Sequence, residues 1–237
     1  MERKKYVIFT AGGRGTRMGA AQPKQFMLLD GVPVLQRSIG AFLKACPDIK
    51  VVTVLPKDHL QTWKDICTRT TFDIPQRLVE GGITRFHSVQ NALETIPDGA
   101  IVAVHDGVRP LITPEFIHTM FSKMENCRSL IPVLPVVDTL KTLARGSDGE
   151  LTCSIEPDPD RSVIFGAQTP QIFLSEDLRA AYTQPYDTAF TDDASVARKY
   201  GIPLSFILGE RLNIKITSPE DLTLAESILL LGKLGRL

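Results

Sequence analysis

The strongest constraint on how this chain folds is a repeated switch of hydrophobic period. Tyr6-Val7-Ile8-Phe9, Val51-Val52-Thr53-Val54-Leu55, Ile101-Val102-Ala103-Val104 and the stretch from Ser129 to Val137 are apolar runs of strand length, and Arg77-Leu78-Val79-Glu80 is a briefer one. Between them apolar side chains recur at helical spacing, at Leu35, Ile39, Phe42 and Leu43, over Asp58 to Thr68, and at Val89, Leu93 and Ile96. Thr113-Pro114-Glu115 opens a further helix, with Thr as cap, Pro in the first position and Glu in the first turn. A β-branched run such as 51–55 suits a strand buried on both faces, and this alternation predicts an α/β fold with a mainly parallel sheet covered by helices.

The rhythm breaks at Asp138. Asp138 to Leu143 and Glu150 to Ile155 flank Gly146-Ser147-Asp148-Gly149, which reads as a hairpin with a glycine turn. Several of its apolar residues have no evident core to enter, and a lone hairpin is marginal in water. We therefore expect residues 138–160 to form a protruding β-arm that packs on a second subunit, the alternative being a hairpin lying on its own domain. The parallel pattern is expected to resume near Ser162. Ser175 to Thr183 and Asp192 to Tyr200 read as helices, the second closed by Gly201. Leu204 to Leu208 reads as a strand, and Ser218-Pro219-Glu220-Asp221 caps a last helix with Leu222, Ala225 and Leu229 on one face. At 237 residues, without internal repeats or low-complexity segments, the chain is read as a single domain over 1–237.

In parallel sheets ligands gather outside the carboxyl ends of the strands. The first such end here is AGGRGTRMGAAQPK, Ala11 to Lys24. Gly12, Gly13 and Gly15 let backbone lie against a ligand, and free N–H groups before a helix start cradle phosphate oxygens. Arg17 and Lys24 add two cations, one able to grip phosphate in a fork and one mobile. A Walker A loop would need Lys directly after its last Gly, where Thr16-Arg17 stands. The dinucleotide fingerprint would need a Gly or Ala where Met18 stands. A tight strand-to-helix turn with solvated charges would share the spacing.

Gly81-Gly82-Ile83-Thr84-Arg85 with Ser88 is a second glycine site, able to let backbone approach a flat base, or simply to connect a strand to a helix. In Val104-His105-Asp106-Gly107-Val108-Arg109-Pro110, Asp106 lies at a strand end where a carboxylate can hold Mg²⁺ among phosphates. Arg109 is placed for an anion, although an Asp–Arg pair ordering a loop would look the same. His105 reads as packing or loop support rather than a base. Thr169 and Thr191 offer hydroxyls beside turn or cap positions, Thr191 equally as a plain N-cap. Arg161 and Lys215 are single cations in apolar surroundings, where a bound phosphate would want them.

With 27 basic against 27 acidic residues, the net charge of zero argues against a general nucleic-acid or membrane-surface binder. Cys46, Cys67, Cys127 and Cys153 form no C-x-x-C pair and read as free thiols of a reducing cytosol. No apolar run approaches membrane-spanning length, so a cytoplasmic protein is expected.

GGRGTRMGAAQPKQF, GGITRFHSV, VHDGVRP, DTLKTL, AQTPQIF, TDDAS and NIKITSPEDL follow one another over nearly the full length. Together they resemble the 2-C-methyl-D-erythritol 4-phosphate cytidylyltransferase family of the non-mevalonate isoprenoid pathway. The resemblance implies a Rossmann-like nucleotidyltransferase fold, a homodimer clasped through the arm, CTP as substrate and Mg²⁺ as cofactor. It implies that Arg17 and Lys24 hold the triphosphate and stabilise the transition state, and that Arg161 and Lys215 position the methylerythritol phosphate. Ala11, Gly12, Gly13, Gly15, Gly82 and Ser88 would contact CTP. Asp106, Arg109, Thr139, Thr169 and Thr191 would line the acceptor pocket, with Thr139 and Arg161 reaching across from the partner. Ile83 stands where an acidic residue is common, and Gly107 replaces a usual Ala. A ribitol- or other alditol-phosphate cytidylyltransferase shares this fold and chemistry. A nucleotide-binding protein without catalysis would have no need of Arg17, Lys24, Asp106, Arg161 and Lys215 together, and a dinucleotide-dependent oxidoreductase lacks its third glycine.

Overall fold

The computed structural model describes residues 3–13, 22–153 and 158–235. Arg17 and Gly15 lie outside the described residues, as do residues 154–157 of the arm.

The first run becomes β1 (Lys5–Thr10). A small ribbon of β2 (Leu28–Leu29) and β3 (Val32–Pro33) leads into α1 (Val34–Ala45). Then β4 (Lys50–Leu55), α2 (Leu60–Arg69), β5 (Gln76–Glu80), α3 (Arg85–Leu93) and β6 (Ile101–Asp106) complete the expected alternation. β1 pairs in parallel with both β4 and β6, and β4 with β5. Successive residues of a strand face opposite sides. Val7 and Phe9 accordingly join the core beneath α1 and α2, while Ile8 joins that beneath α3. α3 is shorter than its apolar spacing suggests, because Ile96 is buried from the turn after the helix rather than from within it.

α4 (Pro114–Lys123) begins as read, with the Thr113 hydroxyl accepting from Phe116 N–H and Pro114 at the first position. β7 (Ser129–Pro135) follows. The hairpin is real but short: β8 (Leu143–Arg145) and β9 (Leu151–Cys153) pair antiparallel, and Asp138 to Thr142 is not strand.

The expected return to parallel pairing is corrected by the structure. β10 (Phe165–Ala167) runs antiparallel to β7, and β11 (Gln171–Leu174) runs antiparallel to both β6 and β7. A parallel return needs a crossover of a dozen or more residues, usually helical. The described residues between β7 and β11 hold a single 3₁₀ turn, Arg161–Val163, so the chain re-enters the sheet from the end at which β7 left it. α5 (Ser175–Ala181), α6 (Asp193–Tyr200) and β12 (Phe206–Leu208) come next, β12 parallel to β7. Among the described residues the main sheet has eight strands, in the order β10, β7, β11, β6, β1, β4, β5, with β12 also on β7. Gly201 closes α6 with φ +96°, a left-handed conformation that costs glycine little. α7 (Pro219–Lys233) starts in a capping box of Ser218 and Asp221 and seats Ala225, with Leu222 and Leu229, against Leu29, Val34, Val108 and Ile216.

Among the described residues no helix is long and apolar enough to cross a membrane.

Candidate functional site

The carboxyl ends of β1, β4, β5 and β6 open onto one cleft of about 1000 Å³, with Gly12 and Gly13 on one side and Gly82 to Ser88 on the other. Ala11, which lines it at the end of β1, is buried and anchored by its N–H to Val54 O at 3.0 Å. Beyond it Gly12 and Gly13 are exposed, and a Cβ on Gly13 would stand 3.5 Å from Lys24 Cε, so the lysine stem runs directly over this turn. The loop's two ends are tied by Gln25, which is 1% exposed and donates its Nε2–H to Ala11 O at 2.8 Å.

At the second glycine turn packing gives Gly82 a reason of its own. A Cβ there would meet His87 Cβ at 2.4 Å, so the first turn of α3 alone demands glycine. The turn is held by Thr84, whose hydroxyl caps α3 by accepting from His87 N–H, and by Ser88. Ser88 Oγ accepts from Gly82 N–H at 3.1 Å and donates to Thr84 O at 2.9 Å. Ile83 is 96% exposed on the cleft wall.

Asp106 ends β6 on the cleft floor at 7% exposure. Its carboxylate meets Lys215 Nζ at 2.9 Å, Arg109 Nε at 3.5 Å and Arg85 Nε at 3.8 Å. Burial would raise its pKa, but Arg85, Lys215 and Arg109 outweigh burial and hold the carboxyl well below the ordinary carboxylate range. Lys215 is brought there by its neighbour: Ile216 is fully buried and donates its N–H to Val108 O at 2.9 Å, while Asp221 of the α7 cap takes Thr217 N–H at 2.7 Å. Arg109 is turned back by donating Nη1–H to Asn213 O at 2.7 Å.

Thr169 is placed by the structure behind Asp106 rather than in the open cleft. It is 5% exposed, accepts from Asp106 N–H at 3.0 Å and meets His105 Nδ1 at 3.1 Å. The other ring nitrogen of His105 faces Arg109 O at 3.1 Å, an acceptor, so it is Nε2 that carries the proton and Nδ1 that accepts from Thr169. His105 is fully buried between Phe9 and Phe42, and burial lowers its pKa to about 4. It therefore stays neutral and supports the loop.

Three expected residues stand apart from the cleft of their own chain. Thr191 is exposed and lines a second hollow of about 700 Å³ with Phe165, Phe206 and Leu208; the cap of α6 is not Thr191 but Asp192, in a capping box with Ser195. Thr139 is exposed at the root of the arm. Arg161, also exposed, donates to Val137 O at 2.7 Å. Cleft residues Ala11, Gly12, Gly13, Lys24, Gly82, Ser88, Asp106 and Lys215 are brought together.

Sequence reasoning missed Arg85 and its partner Asp193. In the sequence Arg85 stands out only as the end of a glycine motif, yet its Nη2 donates to Asp193 Oδ2 at 2.6 Å, 108 positions away. Burial pulls its pKa down, and the carboxylates of Asp193 and Asp106 more than reverse this. No local spacing signals such a pair; the only hint is the doubled acid of Thr191-Asp192-Asp193 at a helix start.

No group of three or more His, Cys, Asp or Glu able to hold a metal occurs among the described residues. Mg²⁺ does not require one, since it keeps waters and takes one or two carboxylates together with substrate phosphates. Asp106, ionised and at the cleft floor, suits that mode.

A family model described as IspD, 2-C-methyl-D-erythritol 4-phosphate cytidylyltransferase, matches residues 6–230. A relative of that name from Porphyromonas gingivalis strain W83 is 45% identical over 231 residues, covering 97% of this chain and 99% of the relative. One from Bacteroides thetaiotaomicron is 41% identical over 226 residues, covering 95% and 100%. Among solved structures, 4-diphosphocytidyl-2C-methyl-D-erythritol synthase from Anaerococcus prevotii superposes with TM-score 0.76 at 25% identity, covering 96% of this chain and 99% of that one. The 2-C-methyl-D-erythritol 4-phosphate cytidylyltransferase from Thermus thermophilus does so with TM-score 0.70 at 27% identity, covering 96% and 98%.

Proposed function

As this chain belongs to the IspD family of 2-C-methyl-D-erythritol 4-phosphate cytidylyltransferases, we propose that its cleft holds CTP between the two glycine turns and receives the acceptor phosphate over Asp106 and Lys215. The enzyme is a nucleotidyltransferase with a Rossmann-like fold, joining CTP to 2-C-methyl-D-erythritol 4-phosphate to give 4-diphosphocytidyl-2-C-methyl-D-erythritol and pyrophosphate. The observation that carries the site assignment is the convergence of Lys24, Lys215 and Asp106 on one cleft with both glycine turns.

An acceptor phosphate oxygen attacks the α-phosphorus of CTP and pyrophosphate leaves. A phosphate monoester has its second pKa near 6, so the nucleophile is already deprotonated at neutral pH and needs no base. The difficulty is bringing two anions together, which is a matter of positioning and of fixed positive charge. In this proposal Lys24, with Arg17, holds the triphosphate and stabilises the charge that builds on it. Backbone at Ala11, Gly12, Gly13, Gly15 and Gly82, with Ser88, lines the nucleotide. Lys215 and Arg109 take the acceptor phosphate beside Asp106, and Thr169 fixes the Asp106 backbone from behind. Mg²⁺ would be held by the triphosphate with Asp106 as its protein carboxylate, supplying further charge neutralisation.

We assign residues 138–160 as the arm of a homodimer within a single 1–237 domain, bringing Thr139 and Arg161 to the partner's acceptor side, where Thr191 would line the edge of the second hollow. Exposure of Leu143, Leu151, Phe165, Phe206 and Leu208 supports this reading. A cytoplasmic location goes with four free cysteines.

Pyrophosphate release from CTP and Mg²⁺ with methylerythritol 4-phosphate and ribitol 5-phosphate as competing acceptors tests the reading. Strong preference for the first is expected; preference for ribitol phosphate would move the acceptor assignment and leave the mechanism intact.

A further inference from the structure

We propose that Arg85 is a positioning residue, anchored on Asp193, that draws the charge of the Asp106 carboxylate toward Oδ1, weakens its pairing with Lys215 and so leaves that lysine exchangeable for the acceptor phosphate. The inference rests on the function proposed above and deepens it. Arg85 opens α3 directly after the second glycine turn, and its side chain lines the cleft. One end of its guanidinium is fixed. Asp193 is fully buried at the start of α6, one oxygen accepting from Tyr182 Oη at 2.6 Å and the other from Arg85 Nη2 at 2.6 Å. Tyr182 is itself 2% exposed and stacked on Phe86, the residue after Arg85, with ring centroids 4.6 Å apart. The anchor is therefore tied to two helices and cannot drift.

The free edge of the guanidinium puts Nε 3.8 Å from Asp106 Oδ1, where Thr10 Oγ1 also approaches at 3.4 Å. The other oxygen, Oδ2, faces Lys215 at 2.9 Å and Arg109 at 3.5 Å. The carboxylate is thus shared between cations on its two sides. An arriving phosphate must compete with Asp106 for Lys215. Charge drawn toward Oδ1 by Arg85 weakens that competition, and without Arg85 the full carboxylate charge would settle on Lys215 and Arg109. A purely structural Arg–Asp pair would need neither the exposed edge, at 31% of the side chain, nor the second carboxylate.

The test is steady-state kinetics on the full chain, with CTP and methylerythritol 4-phosphate varied separately and thermal unfolding measured alongside. The wild type comes first: absence of turnover there would defeat the functional reading itself, independently of Arg85. With turnover established, Arg85→Gln is expected to raise the KM for the acceptor about tenfold, with the KM for CTP moving less than about twofold. That variant leaves Asp193 buried beside no cation and lowers Tm. The double variant Arg85→Gln/Asp193→Asn removes both charges, and is expected to restore Tm while keeping the acceptor defect. Arg85→Lys keeps a cation beside Asp193 but cannot fork between two carboxylates, so it should hold Tm and still raise the acceptor KM. Wild-type acceptor KM in the double variant, or in Arg85→Lys should the double variant not fold, overturns the proposal. Equal rises in both KM values overturn it too.

Discussion

In the cleft over β1, β4, β5 and β6, the buried carboxylates of Asp106 and Asp193 are paired inside one chain. Asp106 meets three cations, Asp193 meets Arg85 and Tyr182, and Ser88 has both its hydrogen bonds filled. Around β7, β10 and β12 the same sheet is left open. Phe165, Phe206 and Leu208 are 49%, 60% and 65% exposed, the hairpin's Leu143 and Leu151 are exposed, and Arg161 satisfies itself on a backbone carbonyl. Large exposed apolar side chains in a cluster mark a surface meant to be covered. The difference sets a cleft whose buried carboxylates are paired within one chain against an apolar surface left open for a partner to cover. We take that cover to be the arm of a second copy.

The sharpest way to break the comparison is on the cleft side. Lys24→Ala is expected to lower kcat by about 10²–10³, the usual loss for one fixed transition-state contact, with Tm unchanged because Lys24 closes no core. Near wild-type kcat would remove Lys24 from the mechanism; Arg17→Ala offers the same test on the other loop cation.

The open side is probed by complementation. Arg161→Ala alone should lose about tenfold or more in turnover with little change in stability, since the residue is exposed. Mixing it with Lys24→Ala should restore activity. In a two-fold dimer with exchanged arms, each mixed dimer has one site with intact Lys24 and an intact partner Arg161. Random exchange makes half the dimers mixed, so about a quarter of wild-type activity returns. Recovery absent at every mixing ratio, with mixed dimers demonstrated by mass, would place Arg161 in its own chain's site.

The cleft side was also the more legible from sequence, for physical reasons. β-branched runs, the second glycine turn, the Thr113 cap and the Ser218 capping box are local signals, and each formed where its residues predicted. Strand direction is not local: nothing in Gln171 to Leu174 says that β11 runs against β6, because alternation reads the same in either sense. The Arg85–Asp193 pair and the Thr169 contact behind Asp106 join residues 108 and 63 positions apart, so spacing could not announce them. Thr191 was drawn to a cap by its neighbours, but the carboxylate of Asp192 took that place.

A smaller effect separates the two regions by pH. His105 is neutral in the folded protein, its pKa lowered by burial from 6.5 to about 4. Between those values the unfolded chain binds the proton and the folded chain does not. Stability is therefore full above about pH 6.5 and falls as the pH drops toward 4, by about 3 kcal/mol at most. Denaturant midpoints at pH 7 and pH 4.5 should differ, and His105→Gln should flatten the difference in that window. An unchanged acid sensitivity in the variant would show that His105 is not its source. The hairpin's ion pair, Lys141 with Asp158, is exposed and should add little.

The smallest effect is expected at Gly107, buried directly behind Asp106 of the cleft floor. A Cβ there would meet Leu35 Cδ1 at 2.8 Å and Ala11 Cβ at 3.3 Å. The nearer atom is the far end of a flexible side chain, but Leu35 is fully buried, so its turning strains the core beneath α1. Overpacking of this kind typically costs about 1–3 kcal/mol. Against it, Gly→Ala at a residue without positive φ restricts the unfolded chain and returns about 0.4–1 kcal/mol. Gly107→Ala should then lower Tm by a few degrees and leave both KM values and kcat within about twofold. A large fall in kcat without a fall in Tm would mean that the floor is shaped for substrate rather than packed for stability. The charge pattern around Asp106 would then be only part of what shapes the cleft side.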